Sequence, residues 1–283
     1  MRWTDDRSGN VEDRRGSGGG GMLVGGGLGT IIIAAIVFFL GGDPSAILSS
    51  GVQNQSSAPA RERTQSEKES EQFISMLTAE NEQTWSGIFA DYNMQFRPAK
   101  VAIFEQVTRS GCGTAQSAMG PFYCPVDETI YMDLSFFNEL QSRFGAKVGQ
   151  FSVAYVLAHE YGHHIQNVLG VLGETEKLRR SGQYSEAQLN QVSVATELQA
   201  DFYAGLWSKY TENREKFLEP GDIEEAIGAA QAVGDDNIQQ RSQGYIDQEN
   251  WTHGSAAQRT QWFMKGYQTG DIKQGDTFKQ LLK

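Results

Sequence analysis

The chain is short of histidine, cysteine and basic residues. Its 283 residues include four histidines, two cysteines and 24 lysines and arginines, against 35 aspartates and glutamates. The net charge of −11 argues against nucleic acids and anionic membrane surfaces as partners, because both attract basic proteins. No internal repeat is visible. The hydrophobic content of 39% is enough for a core, in one large domain or two small ones.

The two cysteines, Cys112 and Cys124, lie close together in the sequence. Neither belongs to a Cys-x-x-Cys pair, which argues against zinc binding through sulfur. In an oxidising compartment two such cysteines are expected to form a disulfide. The alternative is a pair of free buried thiols.

One apolar segment interrupts the globular pattern. Residues 22–40 carry no charged side chain, and about 20 apolar residues suffice for a helix to cross a bilayer. Four arginines precede this segment, and no basic residue follows it before Arg61. The positive-inside rule therefore predicts a cytoplasmic tail at 1–21, a transmembrane helix at 22–40 and everything after it outside. The alternative is a cleaved signal peptide, for which Ala58-Pro59-Ala60 is a poor cleavage site.

The folded domain is expected at 71–283, after a flexible linker at 41–70 rich in Ser, Gln, Glu and Ala. Strand-like segments come first, and helices with apolar periodicity follow. This order favours an α+β fold over alternating strand–helix units. The expected strands are 100–105 and two short strands within 120–133. The expected helices are 73–92, 135–143, 148–169, 185–210, 222–233 and 256–267.

Three of the four histidines lie within six positions, around the motif His159-Glu160-x-x-His163. On a helix, residues four apart share a face, so His159 and His163 can present two imidazoles to one ion. Glu160 lies beside the first imidazole and can reach a water on that ion. This arrangement indicates a zinc hydrolase in which Glu160 is the general base. His164 points about 100° away and is expected not to join the same ion.

A catalytic zinc usually takes three protein ligands, so the motif needs a third residue from elsewhere. Glu197 and Asp201 are four apart on the next long helix and share a face. We predict Glu197 as the third ligand of one zinc per chain. Asp201 is expected to accept a hydrogen bond from the outer N–H of a ligating histidine.

A donor is also needed for the oxyanion that forms when water attacks a carbonyl. His253 is the main candidate, with Arg259 behind it, and Tyr155 and Tyr203 are further candidates. The alternative for His253 is a residue that caps or precedes the last long helix.

The spacing of His159-Glu160-x-x-His163 and Glu197-x-x-x-Asp201 resembles the gluzincin branch of the zincin metallopeptidases. Longer strings are similar to the bacterial neutral zinc metallopeptidase family, and the resemblance covers nearly the whole chain apart from the linker. The resemblance implies a single-pass bacterial membrane protein with a zincin-like domain. The strings that carry it are Arg7–Gly16, Gly120–Pro125, Ala158–Gln166 and Glu197–Gly205.

Taken together, the sequence predicts a zinc peptidase anchored in the bacterial cytoplasmic membrane, with its catalytic domain outside. Its partners would be a peptide or protein substrate and the lipid bilayer. Zinc proteases commonly hold an extended peptide against a sheet edge, and residues 120–133 are the best candidate for that edge. Two alternatives remain open: a zinc-binding scaffold without activity, and a zinc amidohydrolase acting on a non-protein amide.

Overall fold

The computed structural model of the chain describes residues 1–15, 61–116, 120–144 and 148–282. Within these ranges helices predominate, and the strands form a four-stranded sheet and a separate hairpin. The predicted α+β class is confirmed. The strands are β1 (Val11–Asp13), β2 (Lys100–Phe104), β3 (Val107–Ser110), β4 (Gly113–Gln116), β5 (Phe122–Cys124) and β6 (Thr129–Asp133).

The helices lie mostly after the strands, as the sequence pattern indicated. They are α1 (Gln65–Asp91), α2 (Phe136–Phe144), α3 (Gln150–Val168), α4 (Val171–Arg180), α5 (Glu186–Glu215), α6 (Asp222–Ala232), α7 (Asp235–Ser242), α8 (Ala256–Thr269) and α9 (Thr277–Leu281). Two short 3₁₀ helices cover Gln248–Asn250 and Ile272–Gly275.

The main sheet has the strand order β1-β2-β6-β5. The first three strands run parallel to one another, and β5 is an antiparallel edge strand paired only with β6 among the described residues. The β3–β4 hairpin packs on β2, β5 and β6 through a small apolar cluster that includes Phe104, Ala115 and Phe122. A disulfide joins Cys112, in the hairpin turn, to Cys124 on β5. The predicted pairing of the two cysteines is therefore confirmed.

Close helix packing brings the motif helix, α5 and α8 together. A Cβ added to Gly162 of α3 would lie 3.0 Å from the Cα and carbonyl oxygen of Ala200, so α3 and α5 approach almost backbone to backbone. Gly205 of α5 and Gly266 of α8 leave no room for a side chain between those two helices. The start of α5 is defined by Ser185, whose side chain accepts from the backbone N–H of Gln188 in the capping box expected from the sequence.

The first 15 residues form an arm that packs on the domain. Strand β1 pairs in parallel with β2, with Val11 opposite Val101. The Thr4 hydroxyl donates to the buried Glu80 carboxylate at 2.7 Å. The Trp3 ring stacks at 5.2 Å from the ring of Phe73. The arm therefore belongs to the same folded body as α1 and the sheet.

This packing corrects the membrane topology predicted from the sequence. A single crossing at residues 22–40 would place residues 1–15 and the domain on opposite sides of a bilayer, whereas β1 is hydrogen-bonded to β2. In the described ranges, none of the helices has the length and apolar character needed to span a membrane. The predicted span itself lies outside the described residues. The prediction of a single-pass protein with a cytoplasmic N-terminus and an extracytoplasmic domain is wrong.

Candidate metal centre

Two imidazoles and one carboxylate converge between α3 and α5. His159 and His163 lie one turn apart on α3, and Glu197 faces them from α5. The Nε2 atom of His159 lies 3.2 Å from one carboxylate oxygen of Glu197, and Nε2 of His163 lies 3.5 Å from the other. One candidate ligand atom from each residue lies within 4.8 Å of the other two. These three residues could therefore hold a metal ion.

The spacing of the three groups fits zinc. Zinc bonds to nitrogen and oxygen are about 2.0–2.2 Å long, so two ligand atoms at tetrahedral angles lie about 3.3–3.5 Å apart. Each histidine nitrogen lies at about that distance from one oxygen of the Glu197 carboxylate, 3.2 Å for His159 and 3.5 Å for His163. Two histidines and a glutamate also form a donor set used by catalytic zinc sites, which keep one position for water. No second cluster of this kind occurs in the described part of the chain.

Asp201 fixes the tautomer of His159. Its Oδ1 lies 2.8 Å from His159 Nδ1, and an ionised carboxylate can only accept a hydrogen bond. Nδ1 therefore carries the proton in the neutral ring. The lone pair of Nε2 is then directed toward Glu197 and the metal position.

Gln166 has the same effect on His163. The side-chain NH₂ of Gln166 donates to the carbonyl of Thr196 at 2.7 Å and to Gln199 Oε1 at 3.1 Å, which fixes the orientation of its amide. Its Oε1 is then the acceptor that faces His163 Nδ1 at 2.8 Å. His163 therefore also carries its proton on Nδ1 in the neutral form, and its Nε2 is free to bind a metal.

Glu160 lies beside these ligands and is only 7% exposed. Among the described residues, no side chain or backbone group hydrogen-bonds to its carboxylate. Burial raises the pKa of this carboxyl, and the charges of His163 and His159 oppose that rise. In the part of the chain that the structure describes, the Glu160 carboxylate is therefore available to accept a proton.

Without a metal, the carboxylates and imidazoles of the site stabilise one another's charged forms. Burial opposes charge on Glu197, yet the neighbouring imidazoles, His163 first, lower its pKa well below the usual value. Burial also opposes charge on Asp201, but the Arg259 guanidinium and His159 lower its pKa to about 2. In turn Asp201 and Glu197 outweigh the effect of burial on His159 and raise its pKa to about 10. A divalent cation would take the place of the protons that these imidazoles hold.

His253 lies just before α8, whose N-cap is Ser255. Its Nδ1 is 3.2 Å from Oδ1 of Asp235, and Oδ2 of Asp235 accepts the backbone N–H groups of Thr252, His253 and Gly254 at 2.6–2.8 Å. Burial lowers the pKa of His253, but Asp235 and then Glu197 outweigh this and raise it. Its Nε2 has no hydrogen-bond partner among the described residues.

The other residues predicted as oxyanion donors contact other groups in the structure. The Tyr155 hydroxyl donates to Asp201 Oδ1 at 2.5 Å, and Arg259 binds the same carboxylate. Tyr203 packs edge-on against Trp85 in the core.

His164 points away from the metal ligands, as its helix position predicted. Its Nε2 donates to the carbonyl of Arg97 at 2.8 Å, so its Nδ1 accepts from the Tyr123 hydroxyl at 3.0 Å. Asn167 donates to the same hydroxyl at 2.9 Å. Burial lowers the pKa of His164. The residue therefore ties α3 to the edge strand β5 as a neutral imidazole.

Sequence comparison assigns the chain to a family. The family described as "Putative neutral zinc metallopeptidase" matches residues 1–278. The chain belongs to this family. The match includes the arm as well as the helices that carry the metal centre, and no solved structure matches the chain.

Relatives occur in Escherichia coli and in mycobacteria. The chain is 40% identical over 292 residues to the uncharacterized protein YpfJ of Escherichia coli K12, with 100% of both chains covered. It is 47% identical over 203 residues to the uncharacterized protein Mb2605 of Mycobacterium bovis, covering 69% of this chain and 66% of that protein. The uncharacterized protein Rv2575 of Mycobacterium tuberculosis gives the same figures.

The sequence did not predict the hydrogen bonds that four residues make in the site. Gln166 and Tyr155 lie three residues after His163 and four before His159, so helical spacing alone could have placed them near the ligands. Arg259 and Asp235 come from other helices. Their contacts depend on tertiary packing that no local pattern encodes.

Proposed function

We propose that the protein is a zinc-dependent peptidase with a zincin-like catalytic domain. His159, His163 and Glu197 would hold one zinc ion, and Glu160 would act as the general base. The observation that carries the proposal is a buried Glu160 to which none of the described residues hydrogen-bonds, beside three groups that could hold one metal ion. A structural zinc site is closed and needs no such carboxylate.

When bound, zinc would acidify a water molecule and polarise the carbonyl of the scissile bond. Glu160 takes the proton from that water and delivers it to the leaving amine. The raised pKa of Glu160 suits both halves of this transfer, because the carboxyl can accept a proton and hold it. Asp201 and Gln166 keep both histidines in the tautomer that leaves Nε2 unprotonated.

His253 would stabilise the oxyanion formed during the attack. Asp235 holds the ring through Nδ1, so the other ring nitrogen remains available to a substrate. A Cβ added to the next residue, Gly254, would lie 3.2 Å from Val194 and 3.3 Å from Leu198, which flank Glu197 on α5, so this loop packs beside the metal ligand. A cationic imidazole at this position would be a strong donor to a developing negative charge.

An extended peptide would bind along β5. Among the described strands, β5 is an edge of the main sheet, and the Tyr123–His164 hydrogen bond connects it to the motif helix. Edge strands recognise extended chains through backbone hydrogen bonds, which supports a peptide rather than a small amide as substrate.

A mixture of internally quenched peptides about ten residues long tests this function. We expect the wild-type protein loaded with zinc to cleave members of the mixture. Activity should be lost on treatment with a zinc chelator and return when zinc is added back. The Glu160→Gln variant should bind zinc as tightly as wild type and cleave at least about 100-fold more slowly, the typical size of a general-base effect.

A Glu186→Gln variant is the matched control, because it makes the same substitution at an exposed glutamate in the first turn of α5. It should retain the metal and much of the activity. Cleavage by Glu160→Gln at the wild-type rate would show that Glu160 is not the base. Absence of cleavage by a zinc-loaded wild-type protein on every peptide would contradict a peptidase function.

A further inference from the structure

We propose that Arg259 is a positioning residue for the metal centre, which acts through Asp201 on the ligand His159. This role deepens the proposed function, since it concerns how the same zinc site is assembled. Arg259 lies on α8, 58 positions after Asp201 in the sequence. It therefore belongs to neither of the two motifs that supply the metal ligands.

Arg259 donates hydrogen bonds to both oxygens of the Asp201 carboxylate. Its Nε donates to Oδ2 at 2.8 Å, and its Nη2 donates to Oδ1 at 3.0 Å. The two side chains are buried, with relative exposures of 4% and 0%. A two-point contact between planar groups fixes the plane of the carboxylate as well as its position, which a single hydrogen bond does not do.

The same carboxylate is the orienting partner of His159. Its Oδ1 receives the Tyr155 hydroxyl at 2.5 Å, the His159 Nδ1–H at 2.8 Å and the Nη2 of Arg259. Its Oδ2 receives Nε of Arg259. The carboxylate thus has four donors, about as many as its lone pairs can accept. Removing the arginine takes away two of these four hydrogen bonds, including the one to Oδ2, so the plane of Asp201, and hence the direction of the His159 ring, is less firmly fixed.

The charges of the loaded site also balance through Arg259. Glu160, Glu197 and Asp201 place three carboxylates in or beside the centre, and all three are buried or nearly so. A zinc dication alone would leave one negative charge in a desolvated environment, which is costly. The guanidinium supplies the missing positive charge without entering the coordination sphere.

Arg214 offers a matched control for the loss of a salt bridge. It lies on the same helix as Asp201, α5, and pairs with the buried carboxylate of Glu80 on α1. At 1.5 Å per residue, the 13 positions that separate Arg214 from Asp201 amount to about 20 Å along the helix. Replacing Arg214 removes a comparable ion pair far from the metal.

The test compares the variants Arg259→Met, Arg259→Lys, Tyr155→Phe and Arg214→Met. Zinc affinity is measured by competition with a chromophoric chelator, and the ligand field by the visible absorption of the cobalt(II)-loaded protein. We expect Arg259→Met to weaken zinc binding by about 10–100-fold, the usual effect of losing a group that orients a ligand. Its cobalt spectrum should shift.

Arg259→Lys keeps the charge but cannot make the two-point contact, so its zinc affinity should fall between those of wild type and Arg259→Met. Tyr155→Phe should have a smaller effect of the same kind. Arg214→Met should bind zinc within about 3-fold of wild type with an unchanged cobalt spectrum, even if it unfolds at a lower temperature.

Wild-type zinc affinity and an unchanged cobalt spectrum in Arg259→Lys would overturn the positioning role. If Arg259→Met does not fold, Arg259→Lys alone tests the positioning role. A wild-type protein that binds zinc but cleaves no peptide removes the proposed activity and leaves this role intact. A wild-type protein that binds neither zinc nor cobalt overturns both.

Discussion

At the scale of single residues, a neighbouring group decides which ring nitrogen of each histidine on the motif helix carries the proton. Asp201 fixes His159, and Gln166 fixes His163. His164 is fixed by the carbonyl of Arg97 on one side and the hydroxyl of Tyr123 on the other. Adjacent histidines on one helix thus have different functions because their partners differ.

Replacing Tyr123 by phenylalanine tests the assignment of His164. The variant leaves the buried Nδ1 of His164 without a donor, and an unsatisfied buried acceptor costs about 1–3 kcal/mol. We expect a loss of that size in the free energy of unfolding in urea, with zinc affinity close to wild type. Tyr245 is 61% exposed, so Tyr245→Phe should leave stability unchanged. A stable Tyr123→Phe protein would contradict the hydrogen-bond assignment.

At the scale of secondary-structure elements, the sequence predicted the helices that carry the site to within a few residues. The motif helix was expected at 148–169 and lies at Gln150–Val168. Gly170 follows it with a φ of +82°, consistent with the expected helix end. These predictions succeeded because apolar periodicity and capping residues are local signals.

Other elements could not be predicted from local signals. The three residues of β1 become a strand only by pairing with β2, which lies about 90 positions later in the chain. The hairpin β3–β4 has exposed, polar positions and is held on the sheet partly by the disulfide. Arg259 reaches Asp201 only because α8 packs closely on α5.

Gly162 tests how strongly the site depends on the approach of α3 to α5. A methyl group there would meet Ala200 at 3.0 Å and push the helices apart. We expect Gly162→Ala to lose roughly 1–3 kcal/mol of unfolding free energy and to bind zinc more weakly, because Glu197 would move away from both histidines. Thermal unfolding and zinc competition measure the two effects.

Gly228 is the matched control for this substitution. It lies in the helix α6, and an added Cβ would have no neighbour within 4 Å. Gly228→Ala should stabilise the protein by roughly 0.5–1 kcal/mol, as alanine favours the helix more than glycine. If Gly162→Ala behaved like this control, the close helix approach would not control the metal centre.

At the scale of the whole molecule, the arm of residues 1–15 connects the sheet, α1 and the region before α6. The carboxylate of Asp13 is buried and pairs with Arg15 at 2.8 Å and with Arg63 at 2.9 Å. This cluster joins the end of the arm to the residues just before α1. The sequence suggested a tail separated from the domain, and only the tertiary contacts reveal that the two are one body.

Acid should reduce the stability that the Asp13 carboxylate contributes to this contact. Burial raises the pKa of Asp13, but Arg15 and Arg63 outweigh it and hold the pKa below the model-peptide value of 3.8. The ionised carboxylate therefore contributes stability that is fully present above pH 3.8 and is lost as pH falls through the lower folded-state pKa. Asp13→Asn should be less stable than wild type at pH 7, with the difference shrinking below pH 3.8.

Urea unfolding of both proteins across this pH range measures the effect. Glu12→Gln is the neighbouring control: Glu12 pairs with Arg14 but is 66% exposed, so its replacement should change stability by less than about 1 kcal/mol. A constant difference between Asp13→Asn and wild type through the acid range would contradict the role of this carboxylate.

Native mass spectrometry measures whether His159, His163 and Glu197 form one zinc site. We expect one zinc per chain in wild type, none retained by His163→Ala at the same free zinc concentration, and one retained by His253→Ala. A wild-type chain that takes up no zinc, or a His163→Ala chain that keeps it as tightly as wild type, would show that these three residues do not form the site.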